Sequence, residues 1–217
     1  MAETLFRQWF VVEAKEEWEV KPLGEILNIT SSKRIFYSEY VSSGIPFYRS
    51  KEIIELSKIG YTNSDLFIPE TRYQEISAKH GAPVAGDILM TSVGTIGVTY
   101  RVRPGDCFYF KDGNLTWFKD FKLLPSSIVY LWLNSQLGKE AVENVKIGST
   151  QEALTIEGLK SIEMVIPPKI VLDKITNKFE TILEKQEKNK AQVYQLMKIR
   201  DTLLPKLMSG QVRVKTD

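Results

Sequence analysis

Two short stretches carry the residue types that bind nucleic acid. Lys33-Arg34 and Arg49-Ser50-Lys51 lie on expected loops with Tyr37, Tyr40 and Tyr48 close by. Cations meet phosphates, while guanidinium, hydroxyl and aromatic groups meet base edges. Taken alone, such pairs are equally ordinary solvated charges. Gly94-Thr95-Ile96-Gly97 has the outline of a phosphate cradle or of an RNA-clamping turn. No Gly-Lys-Ser/Thr follows it and its spacing is not a dinucleotide fingerprint, so a tight turn between two strands is the plainer reading. His80 is the only histidine and Cys107 the only cysteine. This removes most triads, most zinc sites and any intrachain disulfide framework. With no Gly-x-Ser-x-Gly elbow, His80 reads as a surface loop residue, and Cys107 as a small strand residue. No nucleotide motif, metal cluster or catalytic carboxylate pair stands at a recognisable spacing. The residues by themselves point to a non-enzymatic binding module.

Such a module needs a scaffold, and the most regular stretch is at the C-terminal end. Leu172, Ile175, Phe179, Ile182, Gln186, Asn189, Val193, Leu196, Arg200 and Leu203 follow an unbroken 3-4-3-4 spacing. That is the seam of a single long helix, and a seam this narrow calls for a partner helix. Pro167-Pro168 end the preceding strand, and Pro205 is expected to end the helix. The rod would be roughly 50 Å long. Gln186 and Asn189 are polar groups in mid-seam, of the kind that weaken a coiled coil but fix its register. Residues 169–206 hold nine Lys and Arg against five Asp and Glu, whereas residues 1–168 hold eighteen against twenty-one. The globular part therefore lacks the basic balance usual in nucleic-acid binders, and any DNA face must be a local patch. No apolar run reaches 18 residues and the start is not a signal peptide, so the expected location is cytoplasmic.

Before the rod, the pattern predicts an α+β globule. Residues 2–12 read as a short amphipathic helix whose Leu5, Phe6, Trp9 and Phe10 need cover, and residues 13–19 as an acidic connector. Ile45–Arg49 is a strand with Pro46 at a start or edge. Glu70–Ala78 is a helix capped by Thr71. Gly86–Val98 is strand, glycine turn, strand. Residues 100–121 form antiparallel strands with alternating Phe108, Phe110, Trp117 and Phe121 about the turn Asp112-Gly113-Asn114. Ser126–Val142 is one helix capped by Ser126 or Ser127 and packed through Ile128, Leu131, Trp132 and Leu137. Leu159–Ile166 is the last strand. The division is residues 1–168 as the globular domain and 169–217 as the helical arm.

Several stretches together resemble the specificity subunit of type I restriction-modification systems. Ile199–Val214 is similar to the end of the family's conserved helical region. Gly86-Asp87-Ile88-Leu89 with Gly94-Thr95-Ile96-Gly97 resembles the core strand pair of its target-recognition domain, and Gly44–Arg49, Gly148–Gln151 and Ile166-Pro167-Pro168 resemble further stations. The acidic-plus-Gln pattern usual after the prolines is replaced by Lys169-Ile170-Val171-Leu172. Ala2–Val11 looks like the exit of a central helical region, so the chain corresponds to one half of a two-domain subunit. The resemblance implies a non-catalytic DNA reader that holds no cofactor itself. A modification subunit would bring S-adenosylmethionine for adenine methylation, and a restriction subunit ATP-driven cleavage. It also implies an antiparallel homodimer through Leu172, Ile175, Phe179, Ile182, Gln186, Asn189, Val193, Leu196 and Leu203, with Leu5, Phe6, Trp9 and Phe10 covered at the ends of the arm. Since the shared motifs are scaffold, the expected DNA contacts are beside them: Lys33, Arg34, Tyr48, Arg49, Ser50, Lys51, Thr91, Ser92, Thr95, Lys111 and Asn114. A different class of function, a protein-interaction module that regulates assembly without reading DNA, would bind the methylase with no target preference. An independent hydrolase would need His80 or Cys107.

Overall fold

The computed structural model describes residues 2–12, 18–149 and 151–211. Most of the expected acidic connector, Thr150, the tail from Val212 and the side chain of Leu5 lie outside the described residues. Helix α1 (Ala2–Arg7) runs into a π-helical turn at Gln8–Val12. There follow β1 (Glu19–Pro22), α2 (Leu23–Ile26), β2 (Asn28–Thr30), a 3-10 turn (Tyr37–Glu39), β3 (Ile45–Tyr48), α3 (Ser50–Ile59), β4 (Phe67–Ile68) and α4 (Glu70–His80). The second half holds β5 (Ile88–Thr91), β6 (Thr99–Arg101), β7 (Tyr109–Phe110), β8 (Leu115–Lys119), α5 (Ser126–Asn134), α6 (Gln136–Asn144), β9 (Lys146–Ile147), β10 (Ala153–Leu154), α7 (Ile156–Ser161), β11 (Glu163–Ile166) and α8 (Lys169–Met208). The class is mixed α and β with one long C-terminal helix.

The central sheet has the order β2-β8-β5-β6, with every pairing antiparallel. Ile88–Thr91 and Leu115–Phe118 are buried throughout, because both faces are covered and a two-sided strand has no polar side to alternate. Leu89 and Trp117 pack with Ile53 and Leu56 of α3 on one face. Ile88, Met90 and Phe118 pack with α5, α7 and α8 on the other. The second sheet, β4-β3-β7, shows why the aromatic run is not a simple meander: β7 leaves its sequence neighbours and pairs in parallel with β3. This makes β3 a central strand although it contains Pro46. The β7 pairing begins only at Phe47, so at Pro46 the strand is bonded on one side and no ladder donor is lost.

Other boundaries also differ from expectation. Helix α4 is capped by Pro69, with Thr71 inside its first turn. The expected helix 126–142 is two helices: Ser135 donates to the Trp132 carbonyl at 2.7 Å and accepts from the Gly138 amide at 3.2 Å, ending one and capping the next. Gly138 is required there, since a Cβ would stand 2.0 Å from the Trp132 oxygen. Pro125, rather than Ser126 or Ser127, precedes the first, and Leu137 is exposed. The segment before β11 is helical because Thr155 accepts from the Gly158 amide as a cap. Pro205 lies inside α8, which runs on to Met208; a proline this close to the end removes one intrahelical bond, and the turn closes through Ser209 N–H to the Pro205 carbonyl at 2.9 Å.

The heptad stripe is divided. Ile175 and Phe179 are buried in the chain's own core together with Leu183, and Leu172 and Ile182 pack against it. The expected dimer role of Ile175 and Phe179 is therefore corrected, since the globule buries them, while Leu172 and Ile182 are half-covered by the same core. Phe6 stacks on Phe10 at 4.3 Å and meets Phe179 at 6.3 Å, while Lys174 and Lys178 lie over the Trp9 ring. The N-terminal aromatics are thus covered by the first turns of α8 in the same chain. Polar contacts carry the docking further along. Arg101 grips Glu180 through two nitrogens at 3.0 and 2.9 Å, Arg103 reaches Glu187, and Tyr61 stacks on Tyr194 at 4.0 Å beneath Lys198. Gly60 permits this approach, in a left-handed turn (φ 71°) where a Cβ would stand 3.0 Å from Lys190 Cβ. Among and beyond these contacts, Val193, Leu196, Ile199, Leu203, Leu204, Leu207 and Met208 are exposed, as are Gln186 and Asn189.

Within the sheet the Gly86-Asp87 pair has a clear structural use. Gly86 takes φ 95°, open to glycine at no steric cost. Asp87, 5% exposed, accepts from the Trp117 indole N–H at 2.8 Å and the Val84 amide at 3.0 Å. Burial raises its carboxyl above the ordinary 3.8 despite those two donors. A raised carboxyl value means that the fold favours the neutral form. That stabilisation is complete below pH 3.8 and is lost as pH climbs through the raised value. Asp87→Asn keeps an oxygen for both donors, so it should flatten this segment of a plot of urea midpoint against pH.

Candidate nucleic-acid interface

Four segments converge at one rim of the two sheets. Ser31 Oγ donates to the Leu115 carbonyl at 3.3 Å, Ser32 Oγ to the Phe110 carbonyl at 2.7 Å, and the Lys33 amide to the Tyr109 hydroxyl at 3.0 Å. These bonds lay loop 31–36 along the 111–114 turn, where Arg34 Nε meets Asp112 at 2.9 Å. The same turn receives Ser50 Oγ and the Ser92 amide on the Asn114 carbonyl, and the Lys111 amide extends the β3 pairing to the Tyr48 carbonyl at 2.8 Å. The Ser92 carbonyl in turn accepts from the Leu154 amide, placing the β9–β10 pair beside it. Residues far apart in the chain are thus brought side by side.

The expected contact residues divide by exposure. Lys33, Arg34, Lys51, Thr95 and Lys111 face solvent. Arg34 and Lys51 are held by Asp112 and Asp65, and no ion pair involves Lys33 or Lys111 among the described residues. Tyr48, Arg49, Ser50 and Asn114 are half-buried. Tyr48 stacks on Phe108, and burial pushes its phenol up to about 12, so it remains a proton donor. Thr91 and Ser92 are corrected on burial: the Thr91 hydroxyl accepts from the Val98 amide at 3.0 Å, and Ser92 Oγ lies 2.6 Å from Thr116 Oγ1. Both brace the hairpin turn from inside. His80 is exposed at the end of α4, and Cys107 is exposed in a loop rather than on a strand. Among the described residues no group of three or more His, Cys, Asp or Glu is placed to hold a metal ion, and no helix is long and apolar enough to cross a membrane.

Two positioning groups were not foreseen. Asp112 orients Arg34. Glu52, fully buried, accepts from the Arg49 amide at 2.8 Å and from its Nε and Nη2 at 3.3 and 2.8 Å. That carboxylate holds the Arg49 guanidinium above its usual value and aims it from the start of α3. The signal was the Glu three residues after Arg49, half of a capping box. Glu52→Ala strips Arg49 of three bonds and should cost about 1–3 kcal/mol in a denaturant titration, since Arg49 retains partial access to water.

The architecture is that of a domain built on a four-stranded and a three-stranded sheet, with two smaller strand pairs, its own docked helix and a loop rim bearing cations. The profile of the type I restriction modification DNA specificity domain matches residues 15–199, and the chain belongs to that family. It is 29% identical over 231 residues to the MjaIX specificity subunit of Methanocaldococcus jannaschii, covering 97% of this chain and 52% of that one. It is 24% identical over 204 residues to the HindI specificity subunit of Haemophilus influenzae, covering 90% and 42%. The chain spans about half the length of these relatives. Its fold is similar to that of the HsdS subunit from Thermoanaerobacter tengcongensis (TM-score 0.60, 17% identity, 97% and 50% covered) and to the S subunit from M. genitalium (0.60, 16%, 89% and 46%).

Proposed function

We propose that this chain reads DNA sequence for a type I restriction-modification complex, and that it does so without catalysis of its own. The convergence of Lys33, Arg34, Arg49, Lys51, Lys111 and Thr95 on one loop rim supports the reading most directly. Cations that make no internal pair are available to phosphates, and the oriented Arg34 and Arg49 are suited to base edges. S-adenosylmethionine and ATP chemistry belong to the partner modification and restriction subunits in this proposal. With residues 1–168 slightly acidic, the isolated chain should bind weakly at about 150 mM salt, the partners supplying much of the phosphate neutralisation. A second copy joins through the exposed apolar residues of the outer part of α8, Val193, Leu196, Leu203 and Leu207, as an antiparallel two-fold pair. Two identical readers then face two half-sites about one helical turn, roughly 34–36 Å, or more apart.

Methylome mapping of cells carrying this chain with a cognate methylase tests the proposal. The expected outcome is adenine methylation at a bipartite motif with inverted symmetry. Methylation without a sequence preference would refute the DNA-reading role, and an asymmetric motif would refute the twinned arrangement. Arg34→Ala should relax one base position at a cost of about 1–3 kcal/mol; a uniform loss across sequences would make Arg34 a phosphate contact.

A further inference from the structure

Beside the cationic rim two large rings stand uncovered on a rigid turn. Phe36 is 62% and Tyr37 87% exposed. Nothing in the local backbone is loose enough to fold them away. The Phe36 amide donates to Glu39 Oε2 at 2.8 Å, its carbonyl accepts from the Glu39 amide at 2.9 Å, and Arg72 clamps Glu39 at 2.6 Å. Buried Ile35 anchors the entering chain, and Tyr37 rests edge-on against Tyr40, which packs on the fully buried Phe47. Adjacent apolar rings held in water mark a contact surface. Lys33 and Arg34 precede them by one residue, Ile35, and Arg34 is held on Asp112 of the rim's 111–114 turn. Flat apolar faces flanked by cations complement a polyanion built of stacked planar groups.

Building on the proposed DNA-reading role, we propose that Phe36 and Tyr37 form an aromatic wedge that stacks on bases of the half-site, partly unstacking one step and bending the duplex. Apolar side chains inserted between base steps kink DNA by this means. Because the rings carry no charge and are largely exposed, with only the edge contact of Tyr37 on half-buried Tyr40 beneath them, their removal should leave both fold and phosphate contacts intact. The wedge therefore adds recognition by deformability, at positions the cations do not read.

The test uses the full chain with its modification subunit and a duplex selected by that complex from randomised DNA. The double substitution Phe36→Ala/Tyr37→Ala should weaken binding about 5- to 150-fold per stacked base. It should also reduce the bend measured by end-to-end energy transfer while leaving the salt slope unchanged. Tyr37→Trp should retain both affinity and bend. Lys33→Ala should do the reverse of the double variant, lowering the salt slope by about 1 and keeping the bend. Wild-type affinity and bend in the double variant would overturn the wedge alone. So would loss of the modification subunit from that variant without DNA, since the rings would then cover a protein. A wild-type complex that selects no sequence would bring down the DNA-reading role and the wedge with it.

Discussion

Replacing Leu196 and Leu203 by glutamate is expected to leave a folded chain that sediments at 24.8 kDa, whereas the unaltered chain, paired as proposed, is expected to run at twice that mass. Both leucines are exposed, 64% and 41%, Leu196 within the turn that Tyr194 and Lys198 hold against Tyr61 and Leu203 further out. Leu196 is one turn from Val193 and Leu203 one turn from Leu207, so the four supply the apolar seam of the outer helix. Glutamate suits an exposed helix, and a surface change away from any core contact shifts stability by within about 0.5 kcal/mol. Four like charges brought together across an antiparallel pair would instead oppose association directly. Analytical ultracentrifugation across a concentration series, beside a denaturant titration, separates the two effects. A dimer that persists in the double variant would place the contact elsewhere.

The opposite result is expected a few turns earlier on the same stripe. Phe179→Ala should cost about 3–5 kcal/mol, the range for an aromatic lost from a close-packed core, out of a total of about 5–15 kcal/mol for a domain. Phe179 is 1% exposed and sits where α8, the Phe6–Phe10 stack and the helices behind the central sheet meet. Its removal leaves a cavity and uncovers both N-terminal rings. The urea midpoint should fall and the surviving folded fraction should still associate, because Leu196 and Leu203 are untouched. A loss below about 1 kcal/mol would mean that the first turns of α8 are not part of the domain core.

These contrasting outcomes show where the stripe was readable and where it was not. Its spacing identifies one continuous helix, which α8 is. A 3-4 repeat states that an apolar face must be covered but not by what. Ile175 and Phe179 are covered in cis and Leu196 in no described contact, although all obey the same repeat. The information that decides between them lies in Arg101, Arg103 and Tyr61, whose partners on α8 are fixed only by tertiary placement. The cationic rim was legible to a similar degree. Lys33, Arg34, Arg49 and Lys51 announced themselves as local basic pairs, and all four lie along the rim or at the start of α3. Thr91 and Ser92 looked alike in sequence, but strand β5 has two covered faces and both hydroxyls turn inward. Glu52 and Asp112 take their meaning from the arginines they orient. The break at Ser135 needed the close approach of Gly138 to Trp132, which no periodicity reports.

The meeting of Phe6 with Phe179, together with the pairing of β1 and β11, ties the first described helix to the last. Contacts this distant along the chain close late. A ribosome must therefore release residues beyond Leu183 before the N-terminal rings find their permanent cover. Until then the nascent polypeptide carries exposed aromatics that invite chaperones, and a message cut short before that codon would yield material for proteolysis rather than a smaller folded domain.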